Sequence, residues 1–294
     1  MKKLADNIKR VGLIANSDKP AGRALVRQAA ALIAATGRAV LTDAPTARLA
    51  GLKSPSHSDA ARLTRAVDLL IVFGGDGTML RVARDIAGSR TPILGINAGG
   101  LGFLTGAQAH QLPLALKQIW AGETILESRP LIEARGHARG VAVAERALND
   151  FVVTRGSAPR LIELEVSVDG DVGTRYRCDG LIVASPTGST AYSLAAGGAV
   201  ISPAAEVFTL TPICPHTLSN RSVIVSLSSV VQIKVLSERV ETVLTCDGQK
   251  TLPLAAGDVV RIQRSRHAIR LLHLAGSSFF QTLRRKLHWS GSNV

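Results

Sequence analysis

The pattern of apolar and polar residues changes near Leu131, so the two parts of the chain predict different structures. Before that point, short apolar runs alternate with segments whose apolar residues recur every three or four positions. This alternation predicts an α/β domain with a doubly wound, mostly parallel sheet, whose ligands lie beyond the carboxyl ends of the strands. The predicted strands are Val11–Ala15, Ala39–Thr42, Asp68–Phe73 and Thr91–Asn97, and the predicted helices are Asp18–Ala35, Met79–Ala87 and Leu112–Trp120.

After Leu131, many short strand-like runs follow one another at close spacing, which predicts a β-rich, sandwich-like domain. We expect one short helix near Ser189–Ala196 and a closing amphipathic helix over Phe279–Lys286. Ala44–Ser58 is rich in proline, glycine and serine and predicts a mobile loop. The domains predicted are 1–126, 127–274 and a tail at 275–294. The predicted strands of the second part are Val141–Ala147, Asp150–Thr154, Leu161–Val168, Leu181–Ala184, Ser222–Leu227, Val230–Leu236, Val243–Cys246, Asp258–Gln263 and Ile269–Leu274.

A glycine-rich turn, Gly74–Thr78 (GGDGT), separates a buried strand from a helix. Bare amides at a helix N-terminus favour a phosphate, and glycines allow a ligand to approach the backbone. Asp76 is the acidic group of the turn and a candidate proton acceptor. The turn is neither a P-loop nor a dinucleotide fingerprint, because no Lys-Ser/Thr follows and Leu80 replaces the third glycine. An Asp-Gly hairpin remains the alternative. A second glycine-rich corner, Gly99–Phe103, is expected at the same edge of the sheet.

A second group of small and hydroxyl side chains lies in Asp179–Gly198, reading DGLIVASPTGSTAYSLAAGG. Small side chains let a ligand lie close, and Ser, Thr and Tyr192 supply hydrogen bonds. A capped helix start is the alternative for this segment. Two further short motifs each predict a turn when taken alone: Asn149-Asp150 and Asp247-Gly248-Gln249.

Composition narrows the function classes. Apolar residues make up 46% and charged residues 19%, as in a globular protein, and no apolar run reaches the length of a membrane span. The basic N-terminus lacks the apolar region of a signal peptide. Three isolated cysteines fit a reducing compartment, so we expect a cytoplasmic protein. The net charge of +13 favours anionic partners, but 3% aromatic residues leave little for stacking on nucleic-acid bases, so nucleic-acid binding is not expected.

Four motifs, taken together and in this order, resemble those of the NAD kinases: GGDGT, Asn149-Asp150, DG-x₅-PTGSTAYS and the late DGQ. The stretches GINAGGLGFLT, TPICPHTLSNR and FFQTLRRKLHW agree, so the resemblance covers nearly the whole chain and is similar to the single-function bacterial form. It implies an α/β N-terminal domain, a β-rich NAD-binding C-terminal domain, an active site in the cleft between them, and a C-terminal helix that returns to the first domain. The implied reaction is transfer of the γ-phosphoryl group of ATP to the 2′-hydroxyl of the adenosine ribose of NAD, which gives NADP.

The resemblance also implies roles for particular residues. Asp76 is the proton acceptor or orienting carboxylate, and Mg²⁺ or another divalent cation is held through the ATP phosphates, with no protein metal site expected. The family often has Glu where this chain has Asp150, so Asp150 is a shorter version of that acid. Arg81 adds a positive charge or lies on a solvated helix face. The phosphate loop comprises Gly74, Gly75, Gly77, Thr78 and Arg81. The implied NAD contacts are Asp76, Gly77, Asn149, Asp150, Arg160, Arg177, Asp179, Thr190, Ala191, Tyr192, Ser193, Leu194, Ala195 and Gln249.

Other function classes share some of these features. A lipid or sugar kinase would use the same GGDGT loop, although no amphipathic membrane stretch accompanies it here. A non-catalytic NAD-binding sensor would keep the NAD-binding residues without turnover. A basic nucleic-acid-binding protein would bind less tightly as salt rises. The expected partners are NAD and ATP, with neither a membrane nor nucleic acid, and a homo-oligomer (dimer or tetramer) is a family expectation.

Overall fold

The computed structural model describes residues 2–17, 22–97, 99–100, 102–216 and 221–289, with the backbone alone for Lys2–Leu4. These residues form two compact units. One contains the described residues up to Ser128 and those from Ile269 onward, and the other is Arg129–Ala268. No helix among the described residues is long and apolar enough to cross a membrane.

The first unit is a parallel sheet with helices. The strands pair in the order β3-β2-β1-β4-β5 followed by the end of β18, and β6 also pairs with β5. Its elements are α1 (Lys2–Asn7), β1 (Arg10–Ala15), α2 (Gly22–Ala34), β2 (Ala39–Asp43), α3 (Ala44–Ala50), β3 (Ser56–His57), α4 (Ala60–Ala66), β4 (Leu69–Phe73), α5 (Asp76–Asp85), β5 (Pro92–Asn97), β6 (Ala107–Gln108), a 3₁₀ turn (Ala109–Gln111), α6 (Leu112–Ala121), the start of β7 (Thr124–Ala138), the end of β18 (Val259–Leu274) and α8 (Phe279–Leu287).

Hydrophobic periodicity explains this sheet. All five residues of β4 are buried, as expected for a central parallel strand covered on both faces. Helix α2 buries Leu25, Val26, Ala29 and Ile33, a stripe with helical spacing. The predicted helix Asp18–Ala35 corresponds to α2, although residues 18–21, including Pro20, lie outside the described part of the chain.

The prediction of a mobile loop over Ala44–Ser58 is wrong. The segment contains helix α3 and strand β3, which pairs with β2. The Asp43 side chain caps α3 by accepting the Thr46 amide proton at 2.9 Å, and Gly51 ends it with φ of 61°. Pro45 lies in the first turn, where its missing N–H costs nothing. The proline and glycine that suggested a loop are therefore the start and stop signals of a short helix.

The second unit consists of antiparallel strands in two sheets. One has the order β11-β10-β15-β18, with β7 pairing with β18 and β8; the other is β14-β13-β12-β9-β16-β17. The strands are the rest of β7, β8 (Val141–Ala147), β9 (Asp150–Arg155), β10 (Ile162–Val168), β11 (Asp171–Cys178), β12 (Gly180–Ala184), β13 (Val207–Ile213), β14 (Val223–Ser226), β15 (Val231–Val235), β16 (Thr242–Cys246), β17 (Lys250–Leu254) and the start of β18. Apolar side chains from both sheets, such as Phe151, Leu164 and Phe208, share one core. The predicted sandwich-like domain is confirmed.

Several details of this unit differ from prediction. The sequence did not predict β11, six of whose eight residues are exposed, nor β13 and β17. Asp258–Gln263 and Ile269–Leu274 belong to the single strand β18, since no glycine or proline interrupts the polar residues between them. The helix expected near Ser189–Ala196 is a 3₁₀ turn, Thr187–Thr190, followed by α7 (Tyr192–Ala195).

The closing helix α8 belongs to the first unit, and Leu283 is buried. Ser278 caps it by accepting the Gln281 amide proton at 3.2 Å. The Phe279 ring lies 6.4 Å from the Phe103 ring, between centroids. The predicted helix Phe279–Lys286 and its return to the first domain are therefore confirmed.

Candidate active site

The GGDGT turn joins β4 directly to α5 and is not a hairpin. Gly74 donates its amide proton to Ile96 of the neighbouring strand at 3.0 Å, and Gly75 caps α5 without a side chain. A Cβ on Gly74 would meet the side chain of Thr78, so glycine is required at this position by close packing. The first turn of a ten-residue helix thus lies at the carboxyl edge of a parallel sheet, where amide donors favour an anion.

Asp76 is the first residue of α5, and backbone amides fix its carboxylate. Oδ2 accepts the Phe103 amide proton at 2.9 Å, and Oδ1 accepts the Leu104 amide proton at 3.1 Å. A Cβ on Gly102 would overlap Asp76 Oδ1. The second glycine-rich corner therefore orients the carboxylate with two charge-assisted hydrogen bonds, and its glycine leaves room for the oxygen. The expected proximity of the two corners agrees with these contacts.

Asn97 shapes the corner that holds Asp76. Its side-chain oxygen accepts the Gly99 amide proton at 2.8 Å, and its side-chain nitrogen donates to the Gly100 carbonyl at 2.5 Å. Asn97 is 7% exposed and ends β5. The direction of the chain after β5 is thus set by a side chain that the sequence analysis did not single out.

The other predicted residues of the phosphate loop lie on α5. Thr78 is 8% exposed, and its amide donates to Gly75 at 3.0 Å. The guanidinium of Arg81 is 3.9 Å from the Asp85 carboxylate, toward the end of the helix, which agrees with the solvated-face interpretation of Arg81.

A cavity of about 690 Å³ lies at the other edge of this sheet, beside the first residues of β4 and β5. Its charged lining residues are Arg65, Asp68, Asp85 and Arg90. Burial raises the pKa of Asp85, although Arg81 and Arg84 oppose the effect. No predicted site residue lines the cavity, so it is separate from the glycine-rich turn.

In the second unit, the segment Leu148–Asp150 lies against the turn Pro186–Gly188, called the PTG turn below. Ser185 donates its hydroxyl proton to Leu148 O at 2.6 Å and its amide proton to Asn149 O at 2.8 Å. A Cβ on Gly188 would overlap the backbone of Asn149. The structure therefore brings together two of the predicted motifs, the Asn-acid pair and the start of PTGSTAYS.

Asp150 is 4% exposed, and its carboxyl group has no hydrogen-bond partner among the described residues. Burial, together with the negative charge of Asp247, raises the pKa of Asp150 from 3.8 to about 7. A buried carboxyl group without protein partners is costly to ionise, and such groups cluster at functional sites.

The segment Thr190–Ala195 presents both buried and exposed side chains. Ser193 is fully buried and bonds the Thr211 hydroxyl at 2.9 Å, whereas Tyr192 is 46% exposed. The Thr190 hydroxyl donates to Thr187 O at 3.3 Å. Ala191, Leu194 and Ala195 present only small or apolar groups around Tyr192. Ser193 thus holds the segment in place, whereas the Tyr192 side chain is exposed.

The remaining predicted contacts lie on strands and loops of the second unit. Asp179 pairs with Arg155, Nε to Oδ1 at 2.7 Å, and Arg177 is 3.9 Å from Glu163. Arg160 is exposed, and its amide bonds Ala158 O at 2.8 Å. Gln249 is exposed on the β16–β17 turn. Among the described residues, none of these four side chains forms a hydrogen bond or an ion pair with Asn149 or Asp150.

Besides Asn97, sequence reasoning missed three groups that complete these sites. The amides of Phe103 and Leu104 carry no side-chain signal, and only the glycines before them point to the corner. Arg155 reads as an ordinary charge at the end of a strand. Asp247 reads as a hairpin residue, yet its carboxylate bonds three amides of Leu148–Asp150.

A parallel sheet that ends in a glycine-rich turn, with a carboxylate on the first helical turn, is typical of α/β proteins that bind phosphate-bearing ligands. Two family models match: the ATP-NAD kinase N-terminal domain over residues 11–124, and the ATP-NAD kinase C-terminal domain over residues 148–274. The chain belongs to the NAD kinase family.

Individual relatives agree with this assignment. The NAD kinase of Syntrophotalea carbinolica is 40% identical over 283 residues, covering 96% of this chain and 99% of the relative. The NAD kinase of Paracidovorax citrulli is 43% identical over 262 residues, covering 89% and 88%. Yeast NADH kinase complexed with NADH has a TM-score of 0.87 at 26% identity, covering 98% of this chain and 89% of that one. An Archaeoglobus fulgidus NAD kinase in complex with ATP has a TM-score of 0.74 at 26% identity, covering 96% and 100%.

Proposed function

We propose that this chain transfers the γ-phosphoryl group of ATP to the 2′-hydroxyl of the adenosine ribose of NAD. The ribose oxygen bonds to the γ-phosphorus, the bond from that phosphorus to the β–γ bridging oxygen breaks, and ADP leaves. The products are NADP and ADP. Family membership supports NAD kinase function, and a solved relative that binds ATP supports ATP as donor.

The observation that carries the proposal is the orientation of Asp76. Two amides hold its oxygens 2.9 and 3.1 Å away, at the N-terminal end of helix α5. We assign to Asp76 the orientation of the 2′-hydroxyl and acceptance of its proton. Phosphoryl transfer depends on positioning and on neutralising phosphate charge, and we assign the latter to the amides of Gly75–Thr78.

We assign recognition of NAD to residues of the second unit. Asn149 and Asp150 present side chains without hydrogen-bond partners among the described residues, so both are available to ribose hydroxyls. The exposed ring of Tyr192 offers a face to a base. Gly77, Arg160, Arg177, Asp179, Thr190, Ala191, Ser193, Leu194, Ala195 and Gln249 are proposed as further contacts from the family resemblance.

Mg²⁺, or another divalent cation, is proposed to enter with ATP. The described residues hold no group of three or more histidine, cysteine or acidic side chains placed to bind a metal, whereas ATP phosphates are ordinary Mg²⁺ ligands. The cation would neutralise charge on the transferred group.

The three cysteines are free thiols, which supports a cytoplasmic location, and we propose a homo-oligomer on family grounds.

The experiment is product analysis with purified protein, NAD, ATP and Mg²⁺. A dehydrogenase specific for NADP detects phosphorylation at the 2′ position and does not respond to phosphate elsewhere on NAD. The proposal expects NADP and ADP in equal amounts. Binding of NAD without any NADP would instead favour the sensor function, and phosphorylation of a lipid or sugar in place of NAD would overturn the substrate assignment.

A further inference from the structure

Asp247 lies at the tip of the hairpin that joins β16 to β17. Asp247 and Gly248 both have positive φ, 50° and 64°, as the central residues of a tight turn that is closed by the Gln249 amide donating to Cys246 O at 2.9 Å. An aspartate in such a turn ordinarily points to water. Here the residue is only 7% exposed, so its side chain does more than permit the turn.

The Asp247 carboxylate binds a segment nearly 100 positions earlier in the chain. Oδ1 accepts the amide protons of Asn149 at 2.8 Å and Asp150 at 3.3 Å, and Oδ2 accepts that of Leu148 at 3.2 Å. The amide of Asp247 itself donates to Asp150 O at 3.0 Å. Four hydrogen bonds therefore join one residue to three consecutive residues.

The other side of the same segment is fixed by the PTG turn. Ser185 donates its hydroxyl proton to the Leu148 carbonyl and its amide proton to the Asn149 carbonyl, while Gly188 packs on the Asn149 backbone. The amides and carbonyl groups of all three residues are thus engaged, the Asp150 carbonyl by Asp247 and the other two carbonyls by Ser185. This backbone has little freedom, although the side chains of Asn149 and Asp150 have no hydrogen-bond partner in the part of the chain that the structure describes.

The arrangement carries an electrostatic cost that packing alone does not require. The Asp247 carboxylate places a negative charge beside the buried Asp150 carboxyl and disfavours its ionisation. An asparagine or serine in this turn would avoid that cost. Unlike either of them, the Asp247 carboxylate offers acceptor oxygens to all three amides.

We propose that Asp247 is a positioning residue, which holds the Asn149–Asp150 backbone so that these two side chains meet the adenosine ribose of NAD. The inference rests on the proposed function, because it takes NAD as the ligand. Asp247 acts through Asn149 and Asp150 and not by contact with the reacting atoms. Its loss should therefore weaken NAD binding more than it slows the chemical step.

The test compares Asp247→Asn and Asp247→Ala with wild type. Asparagine keeps an oxygen for the Asn149 and Asp150 amides but presents an NH₂ group to Leu148, whereas alanine removes all three side-chain bonds. We expect KM for NAD to rise in the order wild type, Asp247→Asn, Asp247→Ala, reaching about tenfold or more in the last, with a much smaller change in kcat.

Asp169 offers a matched control. It also begins an Asp-Gly turn with positive φ, and its carboxylate accepts one distant amide proton, that of Val230, at 2.8 Å. Asp169→Ala should lower the melting temperature without raising KM for NAD. Hydrogen exchange of the Leu148–Asp150 amides, measured without NAD, should accelerate in Asp247→Ala and remain slow in Asp169→Ala.

The outcomes separate this inference from the proposed function. If wild type binds NAD and Asp247→Ala has the same KM as Asp169→Ala, the positioning role is wrong. A loss in kcat as large as the rise in KM would also overturn it. So would a higher KM for NAD in Asp247→Ala without faster hydrogen exchange of the Leu148–Asp150 amides. If wild type fails to bind NAD at all, the proposed function is wrong and the inference falls with it, even where exchange shows the backbone bonds.

Discussion

Adding one methyl group at Gly102 should displace the Asp76 carboxylate without changing any charged residue. A Cβ on Gly102 would overlap Asp76 Oδ1, lie 2.8 Å from Asp76 Cγ and lie 3.0 Å from Thr105 Oγ1. The aspartate side chain is short, so it must rotate to relieve the overlap. It then loses one or both hydrogen bonds to Phe103 and Leu104.

The expected magnitudes follow from these contacts. Losing a charge-assisted hydrogen bond costs about 1.5–3 kcal/mol of stability, and misplacing a reacting group by about 1 Å reduces turnover about 10²-fold. Gly102→Ala should therefore lose about 10²-fold in kcat at saturating NAD and ATP. NAD binding should change little, because this residue belongs to the unit that holds Asp76.

The assay is steady-state NADP formation, with chemical denaturation to measure the free energy of unfolding. Gly100→Ala is the control, since a Cβ at Gly100 has no heavy atom within 4 Å and lies in the same corner. The control should retain wild-type kcat. Full activity in Gly102→Ala would show that the observed Asp76 orientation is not needed for turnover.

Two further predictions concern the second unit. Gly188→Ala should raise KM for NAD, measured by steady-state kinetics, because its Cβ would overlap the Asn149 backbone. Gly173→Ala is the control, since its Cβ would make only an ordinary 3.6 Å contact. Equal KM values in the two variants would contradict the prediction. Asp150→Asn should become more stable relative to wild type as pH rises: the pKa of Asp150 is raised from 3.8 to about 7, so folding takes up a proton between these values and wild-type stability falls. The pH-dependent part of the difference is absent below about pH 4 and reaches on the order of 4 kcal/mol above about pH 7. Denaturation curves at both extremes that show the same difference would contradict the prediction.

The elements set by local rules could be predicted from the sequence. Strand β4, the GGDGT turn and helix α5 follow one another within about twenty residues, and apolar periodicity with glycine placement decides them. The same rules failed at Ala44–Ser58, where a proline and a glycine that start and stop a short helix resemble a loop. They also missed β11, because an exposed edge strand has no apolar face for the pattern to show.

The hydrogen bonds that complete the sites could not be predicted. Asp76 is held by amides 27 and 28 positions away, and Asp247 binds amides 97 to 99 positions away. Backbone donors have no residue-specific signature, so only the folded chain reveals them. The motifs identified which residues carry chemistry, while the long-range contacts explain how those residues are oriented.

The central claim is that Asp76 acts on the 2′-hydroxyl of NAD, and the most direct measurement pairs turnover with binding in Asp76→Asn. NADP formation and the Kd for NAD are measured for wild type, for this variant and for Asp85→Asn, a control near the end of the same helix. We predict a loss of about 10²–10⁴-fold in kcat for Asp76→Asn, a nearly unchanged Kd for NAD, and wild-type behaviour in the control. Full turnover in Asp76→Asn would contradict the account.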